Sequence, residues 1–393
     1  MTSAPAIIIL GPSALPCARR IQALYPQAEI HGLRSRVVGV ERTYADFGDT
    51  LRALYRAGTP LIVLCAAGIV IRSLAVVLGE KDREPPVLAV AEDGSAVVPL
   101  LGGLGGVNRM ARELAAHLQV SAAITTSGEL RFGTCLLEPP AGYVLADLEQ
   151  GKGFVSDLLG GQAVRIEGDA PWLAQAKLPV TDNAARVIHI SPHSRAANAD
   201  ELLIHPQQLA VWVERASADL LSELQQALQT SNLAAQSLAV LLAAPELMAN
   251  ADLHAAAAQL KLPLRFIDDA SQLPPLHSQH ANLRLLLADA PIDASQLGRP
   301  RGRLTVIGLG PGAAEFMLPA ARQALDEAQD LLGYETYINM AGPLRPEQVR
   351  HCTDNREEMQ RARHAFALAA SGRRVVVVSS GDPGVFAMAA AVL

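Results

Sequence analysis

Two short glycine-rich stretches near the end of the chain carry the residue types best suited to holding a small ligand. GLGPG spans 308–312 and SSGDPG spans 379–384. Each follows a run of β-branched residues and precedes a stretch of helical composition. In an open parallel sheet, ligands bind beyond the carboxyl ends of the strands, where such loops lie. Gly308, Gly310 and Gly312 permit positive φ and put no side chain between backbone and ligand. Pro311 stiffens the first turn. In the second loop Pro383 suits a first helical position, where a missing N–H is harmless. Asp382 is pushed towards extended geometry and can cap the helix. Free N–H groups at that helix start suit a carboxylate or a ribose hydroxyl. Neither loop has the GxGxxG spacing of a dinucleotide site, and no acidic residue stands at the ribose position, so a nicotinamide cofactor is a poor fit. One such loop alone is an ordinary turn; two on one sheet edge point to a ligand.

The elements that position these loops follow from periodicity. RLTVIG opens a strand at 303, FMLPAARQALDEA reads as a helix, and DLLGYETYI as a second strand and its exit. NREEMQRARHAFALAASG is a long helix closed by Gly372, and RRVVVV a third strand. Upstream, AIIIL and LIVLC read as buried strands, each followed by a helix, and Asp93-Gly94 as a tight turn between two more. GGLGG (102–106) feeds an amphipathic helix. Strand–helix alternation gives an α/β fold class with several mostly parallel α/β domains in tandem. The expected divisions are 1–132, a small middle module at 133–205, a lobe at 206–270, a Pro-rich linker at 271–302, and a last domain at 303–393.

Composition narrows the function. The chain has 393 residues, a formal net charge of −6 and four scattered cysteines without a CxxC pair. A general nucleic-acid binder is excluded by the acidic balance. A zinc site or disulfide framework is not expected, and a reduced, cytoplasmic setting is. No apolar run approaches the ~20 residues of a membrane span.

LTVIGLGPG, LLGYETY and VVVVSSGDPGVFAMA, in that order, resemble the tetrapyrrole methyltransferase family. GYETY with SSGDPGVFAMA resembles its precorrin-3B C17-methyltransferase branch. The resemblance covers about 303–393 and implies the first lobe of a tetrapyrrole methylase fold. It implies S-adenosylmethionine as cofactor, a small tetrapyrrole as substrate, and methylation at C17 with ring contraction to precorrin-4. Carried over by residue, Pro311 with Gly308, Gly310 and Gly312 lies against the cofactor. Ser380, Gly381 and Asp382 hold its amino-acid and ribose parts beside Val385 and Phe386. Tyr334, Thr336 and Tyr337 face the substrate. The substrate carries carboxylates, so Arg345 and Arg350 are chosen as its contacts. No residue is named as catalytic, because methyl transfer from a sulfonium needs alignment and exclusion of water rather than proton chemistry. A homodimer is an admissible assembly. Family members continue into a second lobe, so this region alone is expected not to methylate.

CAAGIVIRSLAVVLG, EDGSAVVPLLGGLGGVNRMARELA and ITTSGE resemble the cobalamin-synthesis lactone hydrolases, which act on cobalt-precorrin-5A. AAGI (66–69) and GGLGG are read as strand-end loops able to take substrate carboxylates, with Arg72 and Asn108 as contacts. The family's histidine at or next to 104–105 is replaced by Leu104 and Gly105, and its Gly-x-Gly-Cys element is missing from 206–267. This region is therefore expected to bind or scaffold rather than hydrolyse. The alternative for the whole chain is a non-catalytic tetrapyrrole-binding or scaffold protein carrying a relic methyltransferase half.

Overall fold

The computed structural model describes residues 4–79, 84–269, 273–311, 317–342, 345, 347–354, 357–382 and 389–392. They form two compact units: Met1–Ser191 with Ala196–His205, and Pro192–Arg195 with Pro206–Leu393.

The first unit opens with strands β1 (Ala6–Ile9), β2 (Glu29–Leu33), β3 (Arg42–Tyr44), β4 (Leu61–Leu64), β5 (Val87–Val90) and β6 (Val97–Leu101). They form one sheet in the order β3-β2-β1-β4-β5-β6. Neighbours from β3 to β5 are parallel, and β6 runs antiparallel to β5. β1, β4 and β5 are buried on both faces and read as unbroken apolar runs, as central parallel strands do. Helices α1 (Leu15–Leu24), α2 (Phe47–Arg56), α3 (Ala67–Leu74) and α4 (Val107–Leu118) cover the sheet. α1 and α4 pack Ile21, Ala111 and Leu114 on the face of Ile7, Ile9, Ile62 and Leu64. α2 and α3 pack Leu51, Tyr55, Val70 and Leu74 on the face of Ile8, Leu61 and Val63. α2 starts where Asp46 accepts a hydrogen bond from the Asp49 N–H at 2.7 Å.

The middle segment is more regular than its composition suggests. α5 (Ser127–Phe132), β7 (Tyr143–Leu145), α6 (Leu148–Leu159), β8 (Val164–Glu167), α7 (Pro171–Ala174), β9 (Arg186–Ile190) and β10 (Glu201–Pro206) follow one another. The strands form a four-stranded sheet, β7-β10-β9-β8, with β8, β9 and β10 parallel. Phe132, Phe154 and Leu158 fill its core against Ile188 and Ile204.

The second unit carries β11 (Leu209–Val213), α8 (Leu220–Thr230), β12 (Leu238–Ala243), α9 (Ala251–Leu260), β13 (Leu264–Phe266), β14 (Leu276–His280) and β15 (Leu283–Leu287). The sheet order is β13-β12-β11-β15-β14. β14 and β15 fall inside 271–302, the segment expected as a linker, and this corrects that expectation. Prolines punctuate the segment, but Leu283, Leu285 and Leu286 are buried, and β15 pairs antiparallel with β11.

The last sheet holds β16 (Arg303–Gly308), β17 (Asp330–Tyr334), β18 (Val349–Thr353) and β19 (Arg374–Ser379) in the order β16-β19-β17-β18, all parallel. Helices α10 (Pro319–Glu327), α11 (Glu335–Met340), α12 (Glu358–Ala370) and α13 (Ala389–Val392) connect and follow them. Ala321 and Leu325 of α10 pack on the face of Ile307, Leu331 and Val378. α12 packs Ala362 and Ala365 on the other face, with Val392 of α13 beside them. Connections that move one way across a parallel sheet lie on one face, and the return lies on the other. Among the described residues no helix is long and apolar enough to cross a membrane.

Candidate functional site

β16 and β19 end side by side, with Gly308 level with Ser379. Beyond them the two glycine loops join. Leu309 N–H donates to the Ser379 carbonyl at 3.0 Å, Gly310 N–H to the Gly381 carbonyl at 3.3 Å, and Gly381 N–H to the Gly310 carbonyl at 3.2 Å. The last two bonds form an isolated antiparallel bridge. Gly310 has φ +65 and Gly381 φ +58, the left-handed region that favours glycine. Among the described residues, a Cβ on Gly381 would meet no atom within 4 Å. Pro311 and Asp382 are exposed beside the bridge and Ser380 is half-buried. The chain leaves β16 towards α10 on one face, while α13, after β19, packs on the other. Strands whose exits part in this way leave a crevice between their carboxyl ends. Gly312, Val385 and Phe386 lie outside the described residues.

The next strand along ends at the same edge. Tyr334 closes β17, and its ring meets that of Tyr337 edge-on, with centroids 5.4 Å apart. Both are half-buried and Thr336 is exposed. The exit of β18 is fixed by Arg361, which sequence reasoning passed over as one of several surface arginines on α12. It is only 3% exposed. Its Nε donates to Thr353 Oγ1 at 2.7 Å and its Nη2 to the Asp354 carbonyl at 2.8 Å. Burial pushes this guanidinium below its usual range, against the pull of Glu358, Glu357 and the Tyr337 phenol. The legible signal was spacing: Arg361, Ala362 and Ala365 share the buried side of α12.

Arg345 and Arg350 are not brought to this edge. Arg345 precedes β18 and so lies at the amino edge, where it donates to the Ala328 carbonyl and pairs with Glu347, each at 3.2 Å. Arg350 is exposed near the start of the outermost strand. The same amino edge holds Asp330, which is 1% exposed. It accepts from His351 Nε2 at 2.9 Å and from the Arg373 guanidinium.

In the first unit the two candidate loops part company. AAG follows β4 at the carboxyl edge. GGLGG follows β6, which runs backwards, so it lies at the amino edge beside Pro85 and Pro86; a Cβ on Gly102 would stand 2.5 Å from the Pro85 carbonyl oxygen. Arg72 is exposed on α3, with its guanidinium folded back over Gly68. Asn108 is 4% exposed and donates to Thr126 Oγ1 at 2.8 Å and to Glu129 Oε1 at 2.6 Å. Arg72 and Asn108 therefore do not share a site, and Asn108 is held in an internal network. His117 contacts the Arg20 carbonyl at 2.9 Å, and Glu214 accepts from Arg284 Nε at 2.6 Å.

Comparison with known proteins matches two separate stretches of the chain. Residues 303–393 match the family of Tetrapyrrole (Corrin/Porphyrin) Methylases, and residues 49–129 match Cobalamin synthesis G N-terminal. The chain is thus similar to the cobalamin-synthesis G type in one stretch and to the tetrapyrrole methylases in another. Its relatives belong to cobalamin biosynthesis. It is 53% identical over 100 residues to the cobalamin biosynthesis protein CobIJ of Mycobacterium tuberculosis, covering 24% of this chain and 20% of that one. It is 52% identical over 91 residues to a precorrin-3B C(17)-methyltransferase of Sinorhizobium, covering 23% and 35%. It is 32% identical over 126 residues to the cobalt-precorrin-5A hydrolase of Salmonella typhimurium, covering 32% and 36%. The chain thus spans about a fifth to a third of these relatives' lengths. Among solved structures, the methyltransferase CobJ is 55% identical over 23% of this chain and 38% of that one, with a TM-score of 0.23.

Proposed function

We propose that residues 303–393 supply the cofactor-binding lobe of a precorrin-3B C17-methyltransferase that uses S-adenosylmethionine, and that the N-terminal unit binds a tetrapyrrole such as cobalt-precorrin-5A. The observation that carries the first part is the bridge between Gly310 and Gly381. It sets two glycine bends at one sheet edge, with no atom of the described residues within 4 Å of the place of a Gly381 Cβ. That cradle fits a cofactor lying flush against backbone. When bound, S-adenosylmethionine supplies an electrophilic methyl carbon on its sulfonium. Gly308, Gly310 and Pro311 form one wall, and Ser380, Gly381 and Asp382 take the amino-acid and ribose portions. Tyr334, Thr336 and Tyr337 border the substrate side, and Arg361 fixes the neighbouring strand exit. These groups orient the reactants and exclude water, which is what an in-line transfer needs. Turnover is assigned to the complete methyltransferase, since the relatives are longer than the stretch they share with this chain.

Calorimetric titration of the full chain with S-adenosylmethionine tests the reading. Gly310→Val should weaken binding at least ~10-fold, because a β-branched residue is strained at positive φ and its side chain intrudes on the cofactor. Equal affinity in the variant, or no heat at millimolar cofactor, would sink it. Tetrapyrrole binding without cofactor binding would favour the scaffold alternative.

A further inference from the structure

Residues 298–302 read GRPRG and belong to the second unit. The strands they touch, β13 and β16, each stand at the edge of a sheet. The upstream end of the segment is paired. Arg299 N–H donates to the Phe266 carbonyl at 2.9 Å, and Phe266 N–H to the Arg299 carbonyl at 2.8 Å. The two bonds form an isolated antiparallel bridge on the last residue of β13. The downstream end is paired as well: Arg303 N–H donates to the Arg373 carbonyl at 3.0 Å, just ahead of β19. Ile292, Ala294 and Leu297 lead into the segment and pack on Val240, Leu242 and Ile267.

Backbone packed against backbone leaves little slack between these anchors. Gly298 has φ +49, and a Cβ there would collide with the Phe266 carbonyl oxygen. A Cβ on Gly302 would collide with the carbonyl oxygen of Ala369, in the last turn of α12. Between them, the Pro300 carbonyl oxygen lies 2.7 Å from the place of a Gly372 Cβ. The four residue steps from Arg299 to Arg303 reach at most ~14 Å, so neither sheet can leave the other without breaking a bonded pair. Arg299 also pairs with Asp268 at 2.7 and 3.3 Å, but both side chains are well exposed, so the ion pair adds less than the backbone bonds. The strands that begin at this strap stay in register from Arg303 beside Arg374 to Gly308 beside Ser379. They end in the bridge between Gly310 and Gly381. Strap and candidate cofactor loops are the two ends of one strand pair.

We propose that the lobe at 206–297 is a brace for the last domain. The strap joins the two sheets into one body that opens as a unit, so a ligand held at the glycine bridge steadies the upstream lobe as well. The lobe then has a role without carrying chemistry of its own. The coupling rests on backbone bonds alone; only its response to cofactor rests on the S-adenosylmethionine reading. Segments that open together share one opening free energy. Whatever weakens or strengthens one of them must change amide exchange in both by the same factor. Segments that open separately respond separately.

Amide exchange in the full chain tests the brace, read at Phe266 and Arg299 and over 374–379. Leu331 is fully buried on the α10 face of the last sheet. Leu331→Ala should speed exchange over 374–379 roughly 100-fold. Phe266 and Arg299 should follow within about threefold of that factor. An acceleration there below about tenfold overturns the proposal. Gly302→Ala should release the coupling: adding Leu331→Ala to it still speeds exchange over 374–379 but leaves Phe266 unmoved. Equal responses in that background overturn the strap as the cause. If Gly302→Ala does not fold, Leu331→Ala alone decides. S-adenosylmethionine at 100 times its dissociation constant should slow exchange about 100-fold in all three places. Slowing confined to 303–393 overturns the brace. No slowing anywhere strikes the cofactor reading instead, and the Leu331→Ala comparison then settles the coupling by itself.

Discussion

Asp330 gives a direct measure of how the last sheet is held together. It begins β17 and bonds to groups from both neighbouring strands, His351 on β18 and Arg373 just before β19. Burial alone would raise its carboxyl, but the bonds from Arg373 and His351 outweigh burial and hold it below the usual carboxylate range. A hydrogen bond to a charged group contributes about 1.5–3 kcal/mol. Arg373 is 38% exposed at its side chain, so water regains much of its share when the carboxylate is removed. Asp330→Asn keeps one acceptor for His351 and should cost about 1–2 kcal/mol. Asp330→Ala strands His351 as well and should cost about 3 kcal/mol, the lower end for a broken buried pair. Global melts would mix the units, so amide exchange over 330–334 and 374–379 in the full chain is the proper readout. The Ala variant should exchange roughly 100-fold faster there, by the conversion of about 1.4 kcal/mol per tenfold. The pH dependence has a definite sign. A carboxyl lowered on folding contributes fully above its unfolded value, about 3.9, and loses that contribution as pH falls through the folded value. Parent protection should therefore decline below about pH 4 more than that of the Asn variant. Unchanged exchange in both variants, or the same acid response in Asn, would refute the reasoning.

Two further outcomes follow from backbone and burial. Gly168 has φ +93, and a Cβ there would stand 2.3 Å from the Ile190 carbonyl oxygen, whereas Gly39 has φ +75 with nothing within 4 Å. Gly168→Ala should thus lower the melting temperature clearly, while Gly39→Ala should cost only about 1–2 kcal/mol of left-handed strain; equal shifts would contradict the clash. Cys352 is exposed, while Cys17 and Cys65 are buried, and burial pushes the Cys65 thiol up to about 11. Alkylation mapped by mass spectrometry at pH 8 should mark Cys352 well before either buried cysteine, and comparable rates would mean that the first unit opens readily.

Much of the architecture was legible because its strands announce themselves. AIII, LIVL and VVVV are apolar at consecutive positions, the pattern of strands covered on both faces, and the glycines at 308–312 and 379–384 mark where two of them stop. What escaped was set by partners distant in sequence. The pairing of β15 with β11 depends on a strand some 70 residues earlier, so LRLLL between prolines looked like linker. Arg361 looked like its exposed neighbours because a charge normally points outward; only Thr353 and Asp354, at the end of another strand, give it a reason to be buried. Arg345 and Arg350 were chosen for their charge, and charge does not say which end of a parallel strand a residue occupies.

The same limit explains why two similar motifs stand in different surroundings. GLGPG and GGLGG are both glycine loops between a strand and a helix. β16 runs parallel to its neighbour, so its loop emerges at the carboxyl edge and meets the loop after β19, with no described atom within 4 Å of the place of a Gly381 Cβ. β6 runs antiparallel, so its loop emerges at the opposite edge, against Pro85 and Pro86, and is bound up with side chains from α4, α5 and the segment after it. Backbone N–H groups and open space can hold a cofactor but move no protons. Strand direction, which local sequence does not encode, therefore sets one glycine loop at the carboxyl edge of its sheet and packs the other at the amino edge.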